Sequence, residues 1–214
     1  MATVRKWSNV AVAMQSALGS ALTITAITKA NPGVVTSNGH GLANGAYVLL
    51  TINGMSQLNG RVVRVANQTT NTFELEGVDT TLFDTFSSGS AQLITFGTSI
   101  TTATQINASG GDFEFIDTTT IHSNVRTQIP GTANPATFEM THQWDVSDTG
   151  LAALKTASDG QAQRAFRFTF GNGGQIMVFA GYVGASLLPG GSAQDLVTTP
   201  SVITMFGSPT YYAS

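Results

Sequence analysis

Apolar and polar side chains alternate with period two along most of this chain, and that pattern confines it to extended strands that each bury one face. In Arg164–Phe170, Phe166, Phe168 and Phe170 fall on one side and Ala165, Arg167 and Thr169 on the other, which predicts one buried and one polar face. Gly60–Val65, Thr72–Leu75, Asp112–Phe115 and Thr137–Trp144 read the same way, rich in Val, Thr and Phe and divided by Gly, Asn, Ser and Pro clusters. Gly171-Asn172-Gly173-Gly174 joins Arg164–Phe170 to Gln175–Val183 and supplies the positive φ of a β-hairpin loop. One helix interrupts the strands: Asp148 caps Thr149–Ala157, Leu151 and Leu154 share a face, and Gly160 is the stop. The fold class expected is all-β with one short helix, two packed β-sheets forming a sandwich or barrel.

Residues 21–93 differ in texture from the rest. Asn/Gly turns at Asn31-Pro32-Gly33, Asn38-Gly39, Asn44-Gly45, Asn53-Gly54 and Asn59-Gly60 cut this stretch into short strands with an apolar set of its own, including Val48, Leu50, Val63, Phe73 and Leu75. It ends in the soft stretch Phe86–Ser90, after which Leu93–Phe96 resumes an extended strand. The organisation expected is a small β-barrel module, residues 21–93, inserted into a discontinuous core domain of residues 1–20 and 94–214.

Charge narrows the function. Only 10% of the 214 residues are charged against 42% hydrophobic, so Thr, Ser, Asn, Gln and Gly must make most of the surface. A net charge of −3 leaves no clustered Lys and Arg for gripping nucleic acid. Without cysteine there is no thiolate nucleophile, thiolate metal site or disulfide. No apolar run approaches a membrane span of about 20 residues, and membrane binding is not expected. His40, His122 and His142 lie in separate contexts with no metal-ligand spacing. His40 reads as a turn residue, His142 as a hydrogen-bonded residue on a strand face with Phe138, Met140 and Trp144, and His122 as part of a polar loop. No nucleophile elbow or phosphate loop is present. The acidic pairs Asp112 with Glu114 and Glu139 with Asp145 read as solvated strand faces and not as a glycosidase pair. No catalysis and no cofactor are expected. The competing class is an extracellular adhesin or carbohydrate-binding β-sandwich, whose mark would be an aromatic platform made from Trp7, Tyr47, Tyr182, Tyr211 and Tyr212.

From Phe96 onward the order of features is Gly111–Thr120, a polar loop to Gln128-Ile129-Pro130-Gly131, the strand to Trp144-Asp145, the helix with Gly150–Leu154, the Arg164–Phe168 hairpin and a closing strand at Ser201–Met205. With the opening Lys6–Ala13, this ordered set resembles the tail tube proteins of long-tailed bacteriophages. Asn38–Leu42, Gly54–Arg61 and Thr70–Leu75 are similar to a small β module that recurs in phage tail and baseplate proteins. The resemblance implies hexameric rings that stack into a tube through which the genome passes without specific binding. It further implies contacts with tape measure, tail terminator and distal tail proteins, and a virion component made in the host cytoplasm. The loop from Asp117 to Gly131, with Thr119, His122, Asn124, Arg126, Gln128 and Pro130, is expected to reach a neighbouring subunit or the next ring. Glu139, Thr141 and Gln143, on the polar face of one strand, are expected to face the lumen, and the 21–93 module the outside.

Overall fold

A computed structural model describes residues 8–171 and 174–213. The expected strand opening at Lys6-Trp7 and the centre of the Gly171–Gly174 turn lie outside the described residues. In chain order the strands are β1 (Val10–Leu18), β2 (Leu22–Ile24), β3 (Ala26–Ile27), β4 (Val34–Thr36), β5 (Tyr47–Asn53), β6 (Val62–Ala66), β7 (Thr72–Leu75), β8 (Ser88–Ile100), β9 (Ala103–Ser109), β10 (Phe113–Asp117), β11 (Gln128–Ala133) and β12 (Thr137–Gln143). Helix α1 (Thr149–Asp159) follows, then β13 (Arg164–Phe170), β14 (Ile176–Gly184) and β15 (Thr198–Tyr212). The fold is all-β with one α-helix among the described residues. Thirteen strands form one antiparallel sheet in the order β3-β4-β7-β6-β5-β8-β1-β13-β14-β15-β12-β9, with β2 paired to β8, and β10-β11 stand apart as a second sheet. The layers therefore arise where this long sheet curls onto itself.

The curl follows from where the large side chains point. Phe166 and Phe168 of β13, Phe138 and Met140 of β12, Phe179 of β14 and Ile203 of β15 bury together, with Leu151 and Leu154 of α1 closing the cluster. Phe138 meets Phe168 across the core at a ring-centroid distance of 5.2 Å, so β12 and β13 turn their outer faces away from each other. The Asp148 carboxylate accepts the Leu151 N–H at 2.7 Å, as an N-cap does. Gly160 does not act as a left-handed stop: its φ is −78°, and the positive φ falls on Gln161.

A second cluster holds Val35, Leu50, Ile52, Leu58, Val63, Phe73 and Leu75. It belongs wholly to residues between β2 and β8. The stretch Ser88–Ser90, whose serines and Gly89 suggest a soft boundary, is instead the start of β8. A Cβ on Gly89 would stand 2.6 Å from Ile52 Cδ1 and 2.7 Å from the Thr51 carbonyl, so the glycine permits close strand contact. The first part of β8, Ser88–Ile94, pairs with β5, and its last part, Ile94–Ile100, with β1. One thirteen-residue strand thus serves both halves of the sheet.

The expected polar face of β13 is not polar throughout. Ala165 is buried with Val178, Ala180 and Tyr212 beneath Tyr47, Leu49, Val62 and Ile94 in a third cluster. Period two reports which side chains alternate, but not that a distant segment covers the second face.

Candidate functional site

Charged side chains in this molecule are few, and the potential contact surfaces are set by what the strands leave uncovered. Three regions stand out: the β10–β11 hairpin, the outer face of β12 with its neighbours, and the far end of β12.

Residues 117–131 are not one long loop. β11 begins at Gln128 and pairs with β10, Phe115 opposite Pro130 and Asp117 opposite Gln128, leaving residues 118–127 as the connecting loop. Pro130 by itself suggests an end to regular structure, yet a two-stranded ribbon consists only of edges, where proline is tolerated. Asp117 accepts the Thr119 N–H at 2.8 Å and lies 3.9 Å from Arg126. Hydrogen bonds from Thr119, first its hydroxyl and then its backbone, hold that carboxyl below the usual range. The Thr119 hydroxyl accepts the Thr127 N–H at 3.1 Å, and His122 and Asn124 are exposed. The fold brings all seven residues together on this hairpin. Its apolar side chains have no cover: Phe113, Phe115, Ile116 and Ile129 are more than half exposed, Val125 is 71% exposed and Ile121 97%.

On β12, Phe138, Met140 and His142 point into the core while Glu139 and Gln143 are exposed and Thr141 half-buried. The register continues this outer face through Gln105 and Asn107 on β9, Pro200, Val202 and Thr204 on β15, and Tyr182 on β14. Among these residues Glu139 is the one ionisable carboxylate, and there is no Lys or Arg. His142, fully buried, bonds Ser201 Oγ through Nε2 at 2.8 Å and Thr102 Oγ1 through Nδ1 at 3.2 Å. Burial pushes its pKa down. It is a structural tie between β12, β15 and the β8–β9 turn.

The opposite half of the outer face, over β13, is occupied. The Arg61 Nε–H donates to Thr210 Oγ1 at 2.9 Å, and the Thr210 hydroxyl donates to the Val62 carbonyl at 2.9 Å. The Arg64 N–H donates to the Tyr212 hydroxyl at 2.6 Å, while the Arg64 guanidinium pairs with Glu76 and lies 4.5 Å from the Tyr212 ring centroid. Burial, the largest influence, pushes the Tyr212 phenol up to about 12. Phe206 lies against Gly60, whose φ is +72°. Sequence reasoning missed this clasp because its hydrogen-bonded partners are 148 or 149 residues apart.

The far end of β12 was also missed. Trp144, Val146, Leu188, Leu196 and Val197 are exposed there, the Trp144 Nε1–H donating to the Leu187 carbonyl at 3.0 Å. The apolar pairs Leu187-Leu188 and Leu196-Val197 within a Gly/Ser-rich stretch were the available signal. As for an aromatic platform, Tyr47 and Tyr212 are buried, Tyr182 and Tyr211 are exposed, and Trp7 lies outside the described residues. Among the described residues no group of three His, Asp or Glu could hold a metal, and no helix is long and apolar enough to cross a membrane.

A curled antiparallel β-sheet with a sparsely charged polar face and exposed apolar side chains, without a metal-binding cluster among the described residues, fits the structural class of protein. The chain belongs to the phage tail tube protein family, whose model matches residues 53–214. It is thus a structural component of the phage tail, in a family that is not one of enzymes. The match begins at the last residue of β5 and takes in the later part of the 21–93 segment. No match was found among curated proteins.

Proposed function

We propose that six copies of this chain close into a ring, that rings stack into the tail tube, and that the face bearing Glu139, Thr141 and Gln143 lines a bore through which the genome passes. The observation that carries this reading is the charge of that face. A polyanion slides past hydroxyls, amides and a lone carboxylate, whereas clustered Lys or Arg would retain it by releasing counterions. Closing a ring would also cover the free edge of β9, which otherwise invites uncontrolled pairing. Residues 21–93 form the inserted module and residues 1–20 with 94–214 the core domain in this reading. Because the module packs over β13 and the bare face lies over β12, the module would stand outside the tube. The hairpin carrying Asp117, Thr119, His122, Asn124, Arg126, Gln128 and Pro130 would reach a neighbouring subunit or the next ring. Tape measure, tail terminator and distal tail proteins are the further partners, and assembly would follow synthesis in the host cytoplasm.

Negative-stain electron microscopy of the purified protein tests this. Six-fold rings and hollow tubes are expected, and a monodisperse monomer at every concentration would overturn the reading.

A further inference from the structure

We infer that Asn38 is a site of covalent self-modification, at which its side chain condenses with the backbone of Gly39 and the turn is converted to aspartate and isoaspartate. The inference is independent of rings and tubes. The Gly39 backbone nitrogen, having lost its proton to solvent base, attacks Asn38 Cγ, and the carboxamide nitrogen leaves as ammonia. Water then opens the resulting cyclic imide. Opening at the side-chain carbonyl gives aspartate, and opening at the main-chain carbonyl gives isoaspartate, in which the chain runs through Cβ. No oxidant or reductant takes part. A glycine must follow the asparagine because any Cβ there would obstruct the attack.

Among the described residues Asn-Gly pairs begin at Asn38, Asn44, Asn53 and Asn59, and the fold treats them differently. Asn59 Oδ1 accepts the Ile52 N–H at 3.1 Å, and the Gly60 N–H donates to the Leu50 carbonyl at 2.8 Å. Asn44 Oδ1 accepts the Gln68 N–H at 2.9 Å, and the Gly45 N–H donates to the Val65 carbonyl at 2.8 Å. In both pairs the attacked and the attacking group are held. Asn53 ends β5 with its carbonyl accepting the Ser87 N–H at 3.0 Å and its Nδ2–H donating to Ser88 Oγ at 3.2 Å. A Cβ on Gly54 would stand 2.4 Å from the Thr85 carbonyl oxygen, so this pair has no room to turn.

Asn38 differs from the other three. It is exposed, lies outside any strand, and its carboxamide makes no hydrogen bond among the described residues. A Cβ on Gly39 would meet nothing within 4 Å. One restraint remains: the Gly39 N–H donates to Asn71 Oδ1 at 3.0 Å, and a side-chain amide can let go by rotating. The consequence falls on the buried His40 that follows. Its Nδ1 accepts the Leu42 N–H at 3.0 Å and its ring meets Phe73 edge-on at 5.2 Å, so His40 pins the turn to the apolar cluster beneath. Isoaspartate lengthens the main chain by its Cβ carbon just ahead of that pin.

Peptide mapping by mass spectrometry, on the full chain incubated at pH 8.5, tests this. A hydrogen bond that must open first slows the reaction by up to about tenfold, so Asn38 is expected to convert about tenfold faster than each of the other three. In urea, where the restraints are gone, the rates at all four should converge. Asn71→Ala, which frees the Gly39 N–H, is expected to speed conversion at Asn38 several-fold and leave the others unchanged. The isoaspartate form, separated by ion exchange, should melt below Asn38→Asp, which gains the charge without the longer chain. Equal rates at the four sites in the folded protein, or a rate at Asn38 that Asn71→Ala leaves unchanged, would overturn the inference. Equal melting of the isoaspartate form and Asn38→Asp would overturn the effect assigned to His40.

Discussion

Gly60 shows how much of this molecule depends on single contacts between distant segments. Its φ of +72° suits glycine, and an added Cβ would stand 2.3 Å from the Phe206 ring. Gly60→Ala is expected to cost at least ~2 kcal/mol from backbone strain and overpacking together, which lowers Tm by about 4–8 °C for a chain of this size. Differential scanning fluorimetry measures it. The buried His142 sets a pH dependence. Its folded pKa is lowered, so the unfolded chain binds the proton first, and the stability contribution is complete above the unfolded value of about 6.5 and is lost as pH falls from there toward the folded value. Urea unfolding at pH 7.5 and 5.5 should show a smaller loss of midpoint at acid pH in His142→Asn, measured against each protein's own value at pH 7.5. The sequence indicated that His142 was hydrogen-bonded inside a strand, because its parity matched Phe138 and Met140. Its partners were not legible: Ser201 is 59 residues away, and no local pattern couples two positions that far apart.

Among elements, those with short-range causes are legible directly. The cap and apolar spacing of α1 lie within a dozen residues, and β7 and β13 begin and end where the alternation does. Asp148→Ala removes the acceptor for the Leu151 N–H and is expected to cost about 0.5–2 kcal/mol, seen as a lower urea midpoint with an unchanged slope. The hairpin residues show through their length and polarity, but β11 is hidden by Pro130-Gly131, which reads as a turn although an edge strand accommodates both. The apolar far end is illegible for another reason. Leu188, Leu196 and Val197 sit in irregular segments; the register of β12 with β15 brings Leu196 and Val197 beside Trp144, and the Trp144–Leu187 hydrogen bond brings Leu188 there. Periodicity carries no information about such positions.

At the scale of the whole molecule, the curl of the sheet divides its outer surface into a covered half over β13 and a bare half over β12. If the bare half lines a bore, Glu139→Lys places a circle of positive charge inside the tube. DNA retention by such tubes is expected to rise at low salt and vanish as salt increases, while wild-type tubes show little of either in a filter-binding assay. The covered half bears on how the chain comes apart. Because β8 is an uninterrupted strand whose two ends are hydrogen-bonded into different halves of the sheet, and because Tyr47, Val62, Ala165 and Tyr212 share one cluster, neither half can melt without stripping partners from the other. Calorimetry should therefore record a single endotherm whose van't Hoff and calorimetric enthalpies agree. Two separated heat-absorption peaks would mean that the halves behave as independent bodies. An appended domain melts alone; a segment woven in through a shared strand confers heat resistance on its host and loses its own when the host is cut away.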